Sequence, residues 1–565
     1  IAPASCSRSI MSSVGSSAAA VCMPRGRRPQ RWKPYVLGGL LALPALVPLL
    51  VIAFAIASPE TAVWSHLARY VLPEVVFNTI KLVTGVALLA GALGTSLAWL
   101  VAMHEFPGRR WLEWALLLPL AIPAYVLAFV AVGFLDYSGP LQSMLRSLFG
   151  TTVYVPPIRS TGGVILVLSL ALYPYVYLLA RSAFLTQSQR ALEVAHSFGY
   201  GRAAAIWKVV LPLARPWIAS GVALVCMESL ADFGAVAVFN YNTFTTAIYR
   251  AWFGMFSLQA ALQLSAALLL VVLAVLYLDQ RSRAHLRFAS TRDVGRVTQR
   301  LPLQGFSRWV ASSYALGVFA LAFLLPVLQL IWWTIQKGGQ DLNVGYWQYG
   351  AHSLLLASMA ALIIVGASLV LAYSQRNADS AAVRSIVQTA TLGYAVPGTV
   401  LAVGVMYPLV MLNNGLQESL RWMLGDNAPA LLLQGTLLGV LLAYMARFLA
   451  VGFKPIESGL QRITRTLDEA SIGLGVSGLQ LVRTVHAPLL RTGLFSAAIL
   501  VFVDVMKEMP ITLLTRPFGW DTLAVRVFNM TTIGEWERAA LPALAIVLVG
   551  LVPVALLTRG SDHVA

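Results

Sequence analysis

An all-α polytopic membrane protein of about twelve transmembrane helices, arranged as two parallel six-helix repeats, is the fold class this sequence predicts. Three observations predict it. The 565 residues are 58% hydrophobic and only 11% charged, whereas soluble globular domains carry about 25% charged residues. Apolar runs recur at the length of about 20 residues that a spanning helix needs. Polar residues and prolines also repeat between the two halves at an offset of 274 to 276 residues.

The apolar runs place six spans at 35–57, 76–102, 112–135, 161–180, 216–239 and 259–278. Six more follow at 309–335, 353–373, 385–411, 430–452, 490–514 and 539–557. Pro44, Pro48, Pro119, Pro123 and Pro397 fall inside these runs. They are tolerable there because neighbouring helices satisfy the freed backbone groups. Trp32, Trp111 and Trp309 sit at span ends as interfacial anchors.

The net charge of +17 reports topology. Lys and Arg gather in alternate loops, most densely at Arg281, Arg283, Arg287, Arg292, Arg296, Arg300 and Arg308. This positive-inside pattern puts both termini in the cytoplasm, with anionic lipid as a further contact. No groove-reading motif accompanies the charge, so no nucleic-acid partner is expected. Cys6, Cys22 and Cys226 lack metal-ligand spacing. The Ser- and Ala-rich residues 1–22 contain no acid and read as a start misplaced upstream of Met23, so residues 1–34 are set apart as a cytoplasmic tail.

The repeat gives the domain plan. Asn78-Thr79 matches His352-Ser353, Leu97-Ala98-Trp99 matches Leu371-Ala372-Tyr373, and the Pro123 segment matches the Pro397 segment, all at 274. Farther on, Glu193 matches Glu469, Gly199 matches Gly475, Pro212 matches Pro488 and Arg215 matches Arg491, all at 276. Six spans per half is an even number, so both halves enter the membrane with one orientation. The halves are residues 35–280 and 309–560, with 281–308 as an Arg-rich cytoplasmic linker.

One loop occurs twice, each time between the fourth and fifth spans of its half. It reads Glu193-Val-Ala195-His-Ser-Phe-Gly199, then twelve residues to Pro212. The second copy reads Glu469-Ala470-Ser-Ile-Gly-Leu-Gly475, then twelve residues to Pro488. The pattern describes a short helix, a glycine turning at φ > 0, a second short helix and a Pro-led span. The result is a stiff cytoplasmic elbow.

These loops resemble the Glu-Ala-Ala coupling motif of binding-protein-dependent ABC import permeases. The copies here depart as Glu-Val-Ala and Glu-Ala-Ser, keeping the Glu and the Gly. The resemblance implies a type I ABC importer permease fold. It also implies two ATP-binding cassette ATPase subunits docked at Glu193 and Glu469, and a periplasmic substrate-binding protein on the other side. No lysine follows a glycine as the phosphate-cradling P-loop requires, so the motor is expected on a separate chain. The permease itself is expected to be no enzyme and to hold no cofactor.

Each fifth span carries acids: Glu228 and Asp232, then Asp504 and Glu508, spaced i,i+4. Rising ~1.5 Å per residue from Arg215, they reach roughly 20–25 Å into the membrane. An ionisable group there costs about 2.5–3.5 kcal/mol to insert and marks a functional site by default. Read as pathway groups, the acids form a ring of hard oxygens suited to a hard cation. Read as structural groups, they pin helices through Lys507 or Lys81. The flanking Ala231–Phe239, Thr243–Trp252, Asp504–Pro510 and Arg516–Ala524 segments look like those of fused ferric-iron permeases, over essentially all of residues 35–558. Cargo stays open between ferric iron and thiamine or another small cation. The seven scattered histidines make no stable metal centre. A twelve-helix secondary transporter is the rival class, and it leaves the paired elbows unexplained.

Overall fold

The computed structural model describes residues 33–55, 61–150, 156–284, 300–342, 344–377, 380–424, 433, 435–476 and 479–561. Cys6, Cys22, the reading of Met23 as the start, and linker arginines Arg287, Arg292 and Arg296 lie outside the described residues. The long helices are α1 Lys33–Ala55, α2 Leu72–Met103, α3 Ala124–Leu135, α4 Thr161–Ser197, α5 Leu211–Ala231 and α6 Leu258–Ala284. Then come α7 Leu325–Asp341, α8 Val344–Asn377, α9 Gly398–Leu424, α10 Leu437–Arg462, α11 Ala487–Lys507 and α12 Ala540–Ser561. Strand is limited, among the described residues, to a parallel pairing of His104–Glu105 with Leu301–Pro302.

Eleven helical stretches among the described residues are long and apolar enough to cross a membrane. The twelfth expected span also forms a helix, Ala540–Ser561, of 22 residues, and its described side chains, Ala540–Ala555, are apolar. Apolar side chains crowd the outside as well as the core: Phe77, Leu88 and Leu362 are 65%, 70% and 78% exposed. In water such a surface would aggregate; facing lipid it is the expected finish.

Two spans read as continuous are broken, and in the same way. The run 112–135 divides into a helix Arg109–Ala115, a 3₁₀ turn Leu118–Ala121 and α3, which begins after Pro123. The run 385–411 divides into a helix Ala381–Thr391, a 3₁₀ turn Leu392–Ala395 and α9, which begins after Pro397. Proline forces the residue before it out of the helical region. Ile122 and Val396 are accordingly extended, with ψ of 119° and 134°.

The two six-helix sets interlock by exchanging their first helices. In α1, Pro48 and Ile52 pack against Gly404 of α9, and Gly38 faces Ile386. Reciprocally, Trp333 of α7 stacks on Phe129 of α3, with ring centroids 6.4 Å apart. The last helix leans the same way: Gly550 of α12 lies so close to the Ala121 carbonyl that a Cβ would stand 2.3 Å from it. Glycine is needed there for close approach.

The residues held in register by the sequence repeat do matching work. Thr79 Oγ1 accepts the backbone N–H of Phe244 at 3.4 Å, and Ser353 Oγ accepts that of Leu523 at 2.8 Å. Each tethers the start of a short helix, Phe244–Tyr249 or Leu523–Thr532, to a long helix far back in its set, α2 or α8.

Candidate functional site

The four acids converge between the two sets. A cavity of about 190 Å³ is lined by Glu228, Asp232, Asp504 and Glu508 together with Arg447 and Lys507. Tyr125, Tyr175 and Tyr394 complete its polar wall, and the Tyr125 hydroxyl has no hydrogen-bond partner. A neighbouring cavity of about 490 Å³ shares Phe233 and is bordered by Arg159 and Arg250.

The two acids of each pair face one cavity, but the second stands where its helix ends. α5 stops at Ala231 and α11 at Lys507, so Asp232 and Glu508 are the first residues beyond, with ψ of 127° and 118°. Each then caps the short helix that follows. Asp232 Oδ1 accepts from the N–H groups of Ala235 and Val236 at 3.0 and 3.1 Å. Glu508 Oε1 accepts from Ile511 N–H at 3.1 Å. Carboxylates are favoured at helix N-termini because the free N–H groups need acceptors. The apolar text around these residues hid both breaks, while Pro510 and Gly234 were the signals available.

The expected ring of oxygens is also interrupted by cations. Arg447 reaches from α10 to Glu508, with Nε to Oε2 at 3.7 Å, while its Nη1 donates to the Val396 carbonyl at 3.1 Å. The 3.7 Å separation is an ion pair too long to be a hydrogen bond, and Nε has no other partner. Lys507 pairs with Asp504 at 3.4 Å. Lys81, the other cation considered for pinning, lies over the Phe77 ring at 5.9 Å. Arg447 was missed because one arginine in an apolar run carries no spacing signal. Among the described residues, no group of three or more His, Cys, Asp or Glu side chains is placed to hold a metal ion. Four carboxyl groups against two cations still make the chamber acidic.

The cations come from the second set alone. At the offset of 276, Arg447 corresponds to Ala171 and Lys507 to Ala231. Glycines bring the breaks into contact with this chamber. A Cβ on Gly398 would stand 2.9 Å from Glu508 Oε1, and one on Gly234 would stand 2.6 Å from the Tyr125 Cβ.

The repeated loops form two elbows. Gly199 and Gly475 take φ of 78° and 84°, the left-handed conformation that glycine reaches without a Cβ penalty. In the second elbow Val476 N–H bonds Ser471 O and Gly475 N–H bonds Ile472 O, both at 2.9 Å. In the first, Tyr200 N–H bonds Ala195 O at 3.0 Å. The residue before each glycine is an exposed apolar tip: Phe198 is 77% and Leu474 84% exposed. Pro212 and Pro488 each stand in the first turn of the next long helix, behind a π-helical turn. Ala195 is buried, whereas Glu469 and Ala470 are exposed. The backbone of Glu193 is helical.

The elbows differ where each meets its membrane helix. A separate short helix was expected in both. The first elbow is instead the unbroken end of α4, while the second is a separate helix, Arg465–Gly473. Around the latter gather Asp468, His486, Tyr373 and Arg376. Burial raises the Asp468 carboxyl, but hydrogen bonds from Arg376 and His486 outweigh it and hold the group below its ordinary range.

Residues 91–281 match the family described as "Binding-protein-dependent transport system inner membrane component". Along most of its length the chain is also similar to the Fe(3+)-transport system permease protein FbpB 2 of Haemophilus influenzae. The two are 27% identical over 94% of this chain and 99% of that protein. The ferric transport system permease protein FbpB of Actinobacillus pleuropneumoniae is 24% identical over 75% of this chain and 62% of its own length.

Proposed function

We propose that this chain, which matches the binding-protein-dependent inner-membrane transport components over residues 91–281, is the fused two-half permease of an ATP-driven importer for ferric iron. The observation that carries the importer reading is the pair of glycine-turned elbows at equal spacing, each with an exposed apolar tip. A projecting, stiff tip is what a soluble motor needs to push on. Similarity to a ferric permease over 99% of that relative's length supports iron as the cargo.

In this reading residues 35–280 and 309–560 are the two halves, joined by the linker 281–308, with both termini in the cytoplasm. Two ATPase subunits bind, one at each elbow, through Glu193, Ala195 and Gly199 and through Glu469, Ala470 and Gly475. ATP hydrolysis belongs to those subunits. A periplasmic binding protein delivers iron to the opposite face. Closure of the ATPases moves both elbows, and Pro212 and Pro488 pass the movement to α5 and α11. Those helices stop just before Asp232 and Glu508, so the stroke arrives at the acidic chamber.

The chamber's chemistry suits a hard cation. Carboxylate and phenol oxygens are hard ligands, and Glu228, Asp232, Asp504 and Glu508 outnumber the resident cations. Arg447 and Lys507 act as counter-ions that a passing cation displaces, so iron is handed through and never held in a fixed site.

The test is uptake of radiolabelled ferric iron by proteoliposomes containing this chain, its ATPase and its binding protein. Wild type is expected to accumulate iron, and Glu228→Gln is expected to lower the rate at unchanged ATPase assembly. Uptake of some other cargo in place of iron would overturn the cargo, and full uptake in Glu228→Gln would remove the acids from the path.

A further inference from the structure

Between α10 and the second elbow the backbone leaves the helix. Ile463 and Thr464 are extended, with ψ of 111° and 151°. A joint of this kind would let the elbow swing without moving the bundle. Four side chains close it.

Asp468, in the first turn of the elbow helix, accepts on Oδ2 from Arg376 Nη2 at 2.7 Å and Nε at 3.2 Å. Its Oδ1 faces His486 Nε2 at 2.7 Å, and Tyr373 OH faces His486 Nδ1 at 2.5 Å. With the proton on Nε2 the imidazole donates to Asp468 and accepts from Tyr373, so both ring nitrogens are used. Arg376 also donates to the carbonyls of Leu460 at 2.7 Å and Ile463 at 3.1 Å, holding the chain where α10 ends. His486 is 2% exposed and the Arg376 side chain 14%. One node therefore joins the end of α8, the end of α10, the elbow helix and the turn leading into α11.

The first set lacks the four residues that build this node, although Arg109, Glu113 and Arg181 form an ionic cluster of their own there. At the repeat offsets its residues are Trp99, Ala102, Leu192 and Val210, none of which ionises. It needs no such node, since α4 runs unbroken into its elbow.

We propose that Asp468, His486, Tyr373 and Arg376 are the positioning residues that make the second elbow a rigid lever, taking the place of the continuous helix behind the first. This rests on the elbows being the sites where the ATPases push. Without the node the joint at Ile463–Thr464 absorbs the push, and ATP is spent without moving α8, α10 and α11.

The test measures iron taken up per ATP hydrolysed in proteoliposomes of the complete transporter. The double variant Asp468→Leu/His486→Val installs the first set's own residues, and His486→Gln retains an N–H toward Asp468. Assembly with the ATPase and basal hydrolysis are expected to stay at wild-type levels. Uptake per ATP should fall about ten-fold in the double variant, the scale of one lost charged hydrogen bond, and recover by at least half in His486→Gln. An unchanged ratio would overturn the proposal, as would loss of ATPase assembly in step with uptake, which would make the node part of the docking face. If wild type shows no ATP-dependent uptake, the functional reading fails first. Hydrogen exchange over Arg465–Gly473 in the chain alone then decides the node: faster exchange in the double variant upholds the clamp, and unchanged exchange removes it.

Discussion

From Thr161 to Ser197 the first elbow is carried on one helix, whereas α10 stops at Arg462 and the second elbow starts afresh at Arg465. Local sequence accounts for the difference. The first stretch reads Gln187-Ser188-Gln189-Arg190-Ala191-Leu192, mostly strong helix formers. The second reads Ile463-Thr464-Arg465-Thr466, with three β-branched residues that lose side-chain freedom in a helix. The lesson is that two loops with the same Glu, Gly and Pro spacing reach the same tip by different mechanics, one through backbone and one through side chains.

The sharpest way to break this comparison is proline. Ser188→Pro interrupts α4 and should cost about 3 kcal/mol, with loss of uptake. Thr464→Pro, the same place in the repeat, meets a φ of −69° that proline already favours. It should be neutral or stabilising by about 0.4–1 kcal/mol. Thermal unfolding in detergent separates the two, and equal effects would mean the elbows are joined alike.

A smaller contrast comes from His486→Ala against Val210→Ala. The first takes a hydrogen-bond partner from each of the half-buried Asp468 and Tyr373 and should cost about 1–3 kcal/mol. The second only trims an apolar side chain and should cost about 1–2 kcal/mol, with uptake per ATP unchanged. Denaturant melts and the uptake ratio check both.

Where the elbows agree, substitutions should agree. Gly199→Ala and Gly475→Ala each place a Cβ in the left-handed region, at about 1–2 kcal/mol apiece. Matching drops in thermal stability would support a shared tip, and a drop at one glycine alone would divide them.

The smallest effect is one of pH. The folded Asp468 carboxyl is held below its ordinary value, which is about 3.9 in an open chain. Its contribution is therefore complete above that value and is lost as pH falls through the lower, folded one. Hydrogen exchange over Arg465–Gly473 should rise on acidification below about pH 4 through Asp468, with no such step over the first elbow.

The class of fold was legible because apolar length and charge placement report the membrane directly. The elbows were legible because glycine turns and proline starts are local chemistry, repeated twice. Both pairs of acids were found, since a carboxylate in an apolar run stands out. Their geometry was not. The breaks at Ala231 and Lys507 fall inside longer apolar runs, where only Gly234 and Pro510 hint that helix gives way to cap. The breaks at Pro123 and Pro397 were seen as prolines and read as tolerated, whereas both end a helix. Arg447, Asp468 and His486 were invisible for another reason: each works with partners 18 to 92 residues away, and one sequence does not reveal long-range pairs. The repeat concealed them further, since they occur in one half only.

The central claim is that ATP drives uptake through both elbows. Its most direct test is ferric iron uptake into proteoliposomes by wild type, Glu193→Ala, Glu469→Ala and the double variant, with and without ATP. The account predicts ATP-dependent uptake in wild type, reduced in each single variant and abolished in the double. Uptake that ignores ATP and follows a proton gradient, undisturbed in the double variant, would contradict it.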